Sequence, residues 1–248
     1  MICDEFGLGL TAANEQAVRG FEATVSAYAG FRRDIGLRLK EAFAADPDMP
    51  MAHVLKGLFF QFMAMPGLLP RAQGALATAR AAADRCGTSD RESLHMDGLE
   101  AWTRGDFHAA ISAYEAILLD YPRDFLALKL ANFFYFYIGD SKNLRDSVAR
   151  VLPNWQPQAP CYGFVLSLYA FGLEENGQYS EAERLGRQAI DLNPADAWAV
   201  HAVAHVNEMQ DRHEVPSVFR LPTSGFHATS FPSCCPLSQA TRNCVGDL

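Results

Sequence analysis

The side chains best suited to chemistry are two histidines and a glutamate near residue 200. His201, His205 and Glu208 fall within about 60° of one another on a helical wheel, so one helix face carries all three. Two histidines and one carboxylate are ligands of divalent transition metals. The residues between the histidines, 202–204, are Ala, Val and Ala, which excludes the HExxH zinc motif because that motif needs a glutamate there.

Three interpretations of this constellation stay open at this point. The histidines and the glutamate could hold a divalent metal, they could contact a ligand, or they could be polar surface residues held by hydrogen bonds. His95, farther along the chain towards the N-terminus, is a further candidate for a base. The candidate catalytic residues are therefore His201, His205, Glu208 and His95.

Helices must position these residues, because apolar residues recur at helical spacing and strand signals are weak. Gly139 follows Gly105 by 34 residues, Gly177 follows Gly139 by 38, and Asp211 follows Gly177 by 34. Glycine at such points ends a helix because it adopts the left-handed conformation without penalty. The segment 91–124 has small residues, Gly98 and Ala110, at two positions where helices pack closely. Its aromatic residues Phe107 and Tyr114 are expected to lie between the two helices, and Pro122 follows the second helix.

This pattern resembles the tetratricopeptide repeat, in which two antiparallel helices form each 34-residue unit. We therefore predict an all-α fold, a right-handed α-solenoid of antiparallel helix pairs with about five repeat-like units and a non-helical C-terminal tail. The predicted solenoid covers 1–213, and its repeats are 16–49, 50–90, 91–124, 125–162, 163–196 and a half-repeat 197–213. The tail, 214–248, is rich in Pro, Ser and Cys and is expected to be irregular or disordered.

Three segments resemble, beyond the generic repeat, the tetratricopeptide repeat protein 38 family. They read GDSKNLRDSVARVLPNW (139–155), YGFVLSLYAFGLEENGQYSEAE (162–183) and NPADAWAVHAVAHVNEMQ (193–210). The resemblance covers about 1–213 and implies a longer protein that continues with further helices. It implies no catalytic residues, because the family has no well-defined activity.

The change of composition after His213 falls in the middle of a repeat. The net charge of the whole chain is −8, and all of it belongs to 1–213. We therefore expect a truncated or frame-shifted gene, with no capping second helix in the last repeat. The apolar faces around Ala189 and Ile190 and of helix 197–210 should then stay exposed, which favours a homodimer through this end.

In stacked repeats the first helices line a concave groove, so the frame predicts which side chains a ligand would meet. The predicted ligand-binding residues are His95, Trp102, Lys129, Phe133, Phe136, Tyr137, Ser167, Phe171, Glu174, His201 and His205. The middle of this groove is aromatic, which suits a peptide or a small amphipathic ligand. A carboxylate clamp for peptide C-termini needs both Lys and Asn side chains in the groove. It is not expected, because Lys129 is the one predicted groove residue that fits such a clamp and Asn132 faces the partner helix.

We predict a binding module or scaffold, with the N-terminal half of an enzyme using the His/Glu site as the alternative. A third possibility is a degraded relative that keeps structure alone. No cofactor is expected, apart from a divalent metal at His201, His205 and Glu208 under the alternative. The negative charge argues against nucleic acid and membrane partners, and the acidic start and scattered cysteines favour the cytoplasm.

Overall fold

Helices make up nearly all regular structure in residues 1–212, the part of the chain that this computed structural model describes. The eleven α-helices of this part are α1 Glu15–Ala29, α2 Ile35–Ala45, α3 Pro50–Phe62, α4 Leu69–Cys86, α5 Asp90–Thr103, α6 Phe107–Asp120, α7 Phe125–Ile138, α8 Ser141–Val151, α9 Tyr162–Glu174, α10 Tyr179–Leu192 and α11 Ala197–Met209. The all-α prediction is confirmed. The predicted tail, 214–248, lies outside the described residues.

The helices pack as consecutive pairs, and each full predicted repeat range matches one pair to within one residue. The range 91–124, for example, contains α5 and α6 in contact, and 163–196 contains nearly all of α9 and α10. First helices also pack on the first helix of the next pair, as α3 does on α5, α7 on α9 and α9 on α11. This neighbour-to-neighbour packing is required in a solenoid, whereas the right-handed superhelical path stays a prediction.

The spacing of the frame is visible in the backbone at the ends of first helices. Gly105, Gly139 and Gly177 have φ of +74°, +75° and +73°. Asp211 takes the same left-handed conformation, with φ of +54°. The 34- and 38-residue spacings therefore mark equivalent turns.

The first pair departs from this rule. In the predicted repeat 16–49, Gly30 falls at the position that Gly105 holds in 91–124, but its φ is −87°, and the next residue, Phe31, takes the left-handed conformation with φ of +51°. A side chain with a Cβ atom pays a conformational cost there. Phe31 therefore occupies a strained turn between α1 and α2.

A short antiparallel hairpin, which weak strand signals did not predict, precedes α1. Its strands are β1 (Ile2–Cys3) and β2 (Gly9–Leu10). In the turn, Asp4 Oδ1 accepts hydrogen bonds from the backbone N–H groups of Phe6 and Leu8. The Phe6 ring packs edge-on against Trp155 at 5.7 Å between centroids, so the hairpin is anchored to the loop after α8.

The C-terminal end of the described helices differs from the expectation of an open apolar face. Ala189 is fully buried and Ile190 is 8% exposed, because α10 packs on both α9 and α11. The prediction that these two residues stay exposed is therefore wrong. Two other apolar side chains at this end are more than half exposed, Leu192 and Met209.

Across residues 1–212, none of the helices has both the length and the apolar character that crossing a membrane requires.

Candidate functional site

A continuous series of aromatic rings runs across the first helices of successive pairs. We call it the ring ladder; its members are Phe62, Trp102, Phe133, Tyr137, Phe136, Phe171 and Trp198. In this order, the centroids of successive rings are 4.8, 5.4, 4.5, 5.7, 5.5 and 4.9 Å apart. These separations and mostly tilted or edge-on angles are those at which aromatic pairs attract. The ladder connects α3, α5, α7, α9 and α11, whose joint surface we call the first-helix face.

The ladder is buried at some rings and open at others. Trp102 and Phe171 are 8% and 0% exposed, so they form its base. Tyr137 is 42% exposed at the end of α7, and Phe133 and Phe136 are half-buried beside it. A ligand can therefore reach the rings of α7, but it meets no more than the margin of Trp102 and does not reach Phe171.

Part of the first-helix face is covered by α1 and the turn that follows it. Tyr28, near the end of α1, contacts Phe62 at 4.8 Å, and Phe31 contacts Trp198 at 6.4 Å between centroids. A Cβ atom built on Gly30 would lie 3.5 Å from the ring of Phe164 in α9. The predicted groove is therefore not open along its whole length, because the chain's own α1 fills part of it.

His95 lies inside the protein rather than on a ligand-accessible surface. It is 0% exposed, and its Nε2 is 2.9 Å from Asp124 Oδ2. Arg91 donates to the same carboxylate oxygen at 2.6 Å and to the carbonyl of Gly9 at 2.9 Å. The predicted roles of His95 as a groove residue and a base are wrong for this packing; it forms part of a buried ion network that ties the hairpin to α5 and α7.

Asp124 is the acidic partner of this network. Burial alone would raise the pKa of its carboxyl, but His95, Arg91 and the backbone N–H of Ala127 outweigh burial and hold the pKa well below its usual range. Asp124 is also the N-cap of α7 through its bond from Ala127 N. The Asp124 side chain thus caps α7 and also pairs with the charge of Arg91.

Lys129 is surrounded by rings. It is 8% exposed, and its Nζ lies 5.2 Å from the ring centroid of Phe31, 5.5 Å from that of Tyr28 and 6.0 Å from that of Trp198. Burial lowers the pKa of Lys129 to about 8, although the negative charge of Asp196 opposes this shift. The predicted ligand contact is therefore a cation already enclosed by the protein's own aromatic side chains.

Ser167 also points away from any ligand. It is 1% exposed, and its hydroxyl donates to the carbonyl of Phe164 in the same helix at 2.9 Å. The prediction that His95, Lys129 and Ser167 contact a ligand is therefore corrected, because all three side chains are buried. Asn132 does face the partner helix, where its Nδ2 donates to Leu144 O at 3.2 Å.

His201 and His205 lie side by side at the far end of the ring ladder. Their ring centroids are 4.2 Å apart, and His201 stacks on Trp198 at 5.3 Å. Burial, with a smaller effect from His205, lowers the pKa of His201 to about 3, so this imidazole is neutral. Burial also favours neutral His205, but the neighbouring carboxylates, led by Glu174, outweigh it and raise the pKa of His205.

The ligand-type atoms that come together are not those of one helix face. Glu174, Glu175 and His205 each offer an atom within 4.8 Å of the others, whereas Glu208 is exposed and His201 stands outside this group. His205 Nδ1 is 3.5 Å from Glu174 Oε2. The predicted grouping of His201, His205 and Glu208 as a metal triad is therefore replaced, in residues 1–212, by a grouping across α9 and α11.

Several residues of this region, among them Glu175, Phe62, Phe31 and Trp198, were not among the predicted site residues. Glu175 stands next to the predicted Glu174, and burial together with the charge of Glu174 raises its pKa. Phe62 could not be assigned to the groove from the sequence, because α3 has no clear repeat register. Phe31 could not be assigned either, because it lies in a turn outside the helices. Glu175 was detectable, since it occupies a groove position at the end of the first helix of the repeat 163–196.

Models of known protein families were compared with the chain, and none of them matches it.

Proposed function

We propose that the chain is a binding module whose ring ladder accepts a peptide or a small amphipathic ligand. The observation that carries this proposal is the open part of the ladder, formed by Tyr137, Phe133 and Phe136, together with the exposed ring of Phe31, which contacts the ladder at Trp198. Tyr137 and Phe31 expose 42% and 47% of their surface. Adjacent exposed rings above a packed aromatic base are typical of sites that bind apolar groups.

Polar groups beside the rings give such a ligand points of orientation. The indole Nε1 of Trp198 and the Nε2 of His205 are buried and have no hydrogen-bond partner in the part of the chain that the structure describes. A buried donor without an acceptor costs stability, and a ligand that supplies an acceptor recovers it. The surface therefore favours a ligand with an apolar body and one or two polar atoms over a purely apolar one.

The contacts of α1 support a helical peptide as the kind of partner. This amphipathic helix already packs against the first-helix face, with Tyr28 on Phe62 and Phe31 on Trp198. Helix-in-groove recognition uses the same type of contact in trans. A second amphipathic segment could lie beside α1 over the rings of α7.

Binding to the ring ladder can be tested with two probes. Peptides selected from a random display library and the amphipathic dye anilinonaphthalene sulfonate are titrated into the full chain. Tyr137→Ser should weaken binding by about 10-fold, the effect of losing an aromatic anchor. The matched control is Leu119→Ser on α6, a 72% exposed apolar residue away from the ladder, and it should leave binding unchanged.

Either of two results contradicts the proposal. One is that neither probe binds the wild-type chain in the micromolar range, and the other is that both variants reduce binding equally. Peptide binding without dye binding identifies a peptide partner, and the reverse identifies a small amphipathic ligand.

We also propose that the helix pairs are tetratricopeptide repeats of the protein 38-like family. The left-handed turns at Gly105, Gly139 and Gly177 support this. So does the close packing at Gly98, where a Cβ atom would lie 2.5 Å from Cζ of Tyr114. The alternative, an enzyme using His95, His201, His205 and Glu208, stays a prediction, and burial of His95 counts against that residue's part in it.

For partners and location, we propose a cytoplasmic protein that can form a homodimer through the end made by α10 and α11. Leu192 and Met209 are 52% and 61% exposed at this end. Within the described residues Cys3, Cys86 and Cys161 are free thiols, as expected in a reducing compartment. The charge of −8 favours partners other than nucleic acid or an anionic membrane. Light scattering at increasing concentration tests the dimer, and a constant monomer mass would contradict it.

A further inference from the structure

The ends of two neighbouring first helices bring an imidazole and two carboxylates together. Glu174 is the last residue of α9, Glu175 follows it, and His205 lies in the third turn of α11. Because α9 and α11 pack directly on each other, ligand atoms of the three side chains all lie within 4.8 Å of one another. The three residues are not consecutive on one helix, so this juxtaposition is made by the fold.

We propose that Glu174, Glu175 and His205 form a binding site for a divalent transition-metal ion of the Zn²⁺ type. Around a tetrahedral ion with bonds of about 2.0–2.1 Å, neighbouring ligand atoms stand roughly 3.3–3.4 Å apart. His205 Nδ1 and Glu174 Oε2 are 3.5 Å apart, close to that separation and longer than a normal hydrogen bond. Small side-chain rotations bring Glu175 into the same sphere.

The state of Glu174 is the second, independent observation. Its side chain is 5% exposed, and its Oε2 is buried without a normal hydrogen bond to any group in residues 1–212. A buried carboxylate oxygen normally has hydrogen-bond donors around it, because its desolvation is costly. An ion held between Glu174 and His205 supplies the missing partner.

The local charge points the same way. Two carboxylates share the site with one imidazole, whereas Glu208 is exposed and lies outside the ligand group. Glu174 and Glu175 also stand at the C-terminal end of α9, where the helix dipole disfavours negative charge. A divalent cation balances both carboxylates and the helix end at once.

The donor set selects the class of ion. An imidazole nitrogen with two carboxylates suits Zn²⁺, Fe²⁺ or Mn²⁺, whereas Ca²⁺ requires six to eight oxygen ligands. His201, whose ring packs against His205 at 4.2 Å, restricts the orientation of the ligand ring without joining the ligand group. Three protein ligands leave one tetrahedral position open to water.

The test is a titration of the full chain, freed of metal, with cobalt(II) chloride as a spectroscopic probe for Zn²⁺. We expect one Co²⁺ per chain, with the visible absorption of a tetrahedral nitrogen/oxygen site and displacement by Zn²⁺ but not by Ca²⁺. Glu174→Gln should weaken uptake by at least about 10-fold, as loss of a metal-site residue does. Glu208→Gln, the matched control on exposed α11 surface, should change it by less than about 2-fold.

Two further variants keep the test decisive. A chain with Cys234, Cys235 and Cys244 replaced by Ser should bind as the wild type does, since the site contains no thiolate. Glu175→Gln, a half-exposed position, replaces Glu174→Gln if circular dichroism shows that the latter does not fold. The inference is overturned if no stoichiometric Co²⁺ binds, if the serine variant loses binding, or if Glu174→Gln and Glu175→Gln bind as tightly as Glu208→Gln. Peptide binding at the ring ladder plays no part in this result.

Discussion

Phe31, two residues after the end of α1, lies 6.4 Å from Trp198 of α11 between ring centroids. This contact joins the first and the last of the described α-helices across the first helices of the pairs between them. It explains why the first-helix face is not an open groove, and it places the exposed part of the ring ladder beside α1. The two residues are 167 positions apart in the printed sequence.

The left-handed backbone at Phe31 predicts an unusual response to substitution. Phe31→Ala loses the contacts with Trp198 and Lys129 but keeps the strained φ of +51°. Phe31→Gly loses the same contacts and relieves a strain of about 1 kcal/mol. Urea unfolding should therefore find the glycine variant more stable than the alanine variant by about that amount. A glycine variant less stable than the alanine variant would refute this turn conformation.

The enclosed ammonium group of Lys129 predicts a gain in stability with rising pH. Its pKa falls from an ordinary 10.5 to about 8 because it is buried. Between these values the folded chain has released a proton that the unfolded chain keeps, so the free energy of unfolding rises with pH. Below pH 8 both states are charged and the cost of burial is complete.

Lys129→Met removes that cost and most of the pH dependence. At pH 7 the variant should be more stable than the wild type by as much as about 3 kcal/mol, and the difference should shrink between pH 8 and 10.5. Urea unfolding at pH 7, 9 and 10.5 measures both effects. A difference that stays constant across this range would show that Lys129 is not desolvated.

Substitutions at two helix N-caps distinguish the stabilising effect of capping from that of a buried ion pair. Asp124 caps α7 and pairs with Arg91 and His95 in the interior, whereas Asp106 caps α6 on the surface. Asparagine caps a helix about as well as aspartate, so Asp→Asn keeps the cap at both sites. Asp124→Asn should cost about 3 kcal/mol by leaving Arg91 buried without its counter-charge, and Asp106→Asn less than about 0.5 kcal/mol. Equal effects on the free energy of unfolding would exclude a buried ion pair.

Two helical glycines test whether the repeat frame locates close packing. A Cβ atom at Gly98 would lie 2.5 Å from Cζ of Tyr114, which is fully buried, whereas nothing lies within 4 Å of one at Gly74. Gly98→Ala should therefore lower the free energy of unfolding by about 1–3 kcal/mol. Gly74→Ala should raise it by about 0.5–1 kcal/mol through helix propensity. A stabilising Gly98→Ala would contradict the predicted role of this position.

The sequence predicts the helices and most of the turns between them, because local residue spacing determines these features. Glycine spacing located the turns after α5, α7 and α9, because the left-handed conformation is a property of the residue itself. The hairpin at β1 and β2 escaped prediction because two-residue strands give no periodic signal. The packing of α1 against the first-helix face was not predicted either, since no local sequence pattern indicates that Phe31 contacts Trp198.

The candidate metal ligands show the same difference between features set by local spacing and features set by packing. His201, His205 and Glu208 were grouped because they share one helix face, a relation that the helical period supplies. The grouping of Glu174 and Glu175 with His205 depends on how closely α9 approaches α11, and that distance is set by packing.

Site-specific photo-crosslinking tests the central claim, that ligands bind at the ring ladder beside α1. A benzophenone side chain replaces Tyr137 in one variant and Leu119 in the other, and each is irradiated with a display-selected peptide at a concentration that saturates the wild type. We expect the peptide to become attached at position 137 and not at position 119. Attachment at 119 alone, or equally at both, would contradict it.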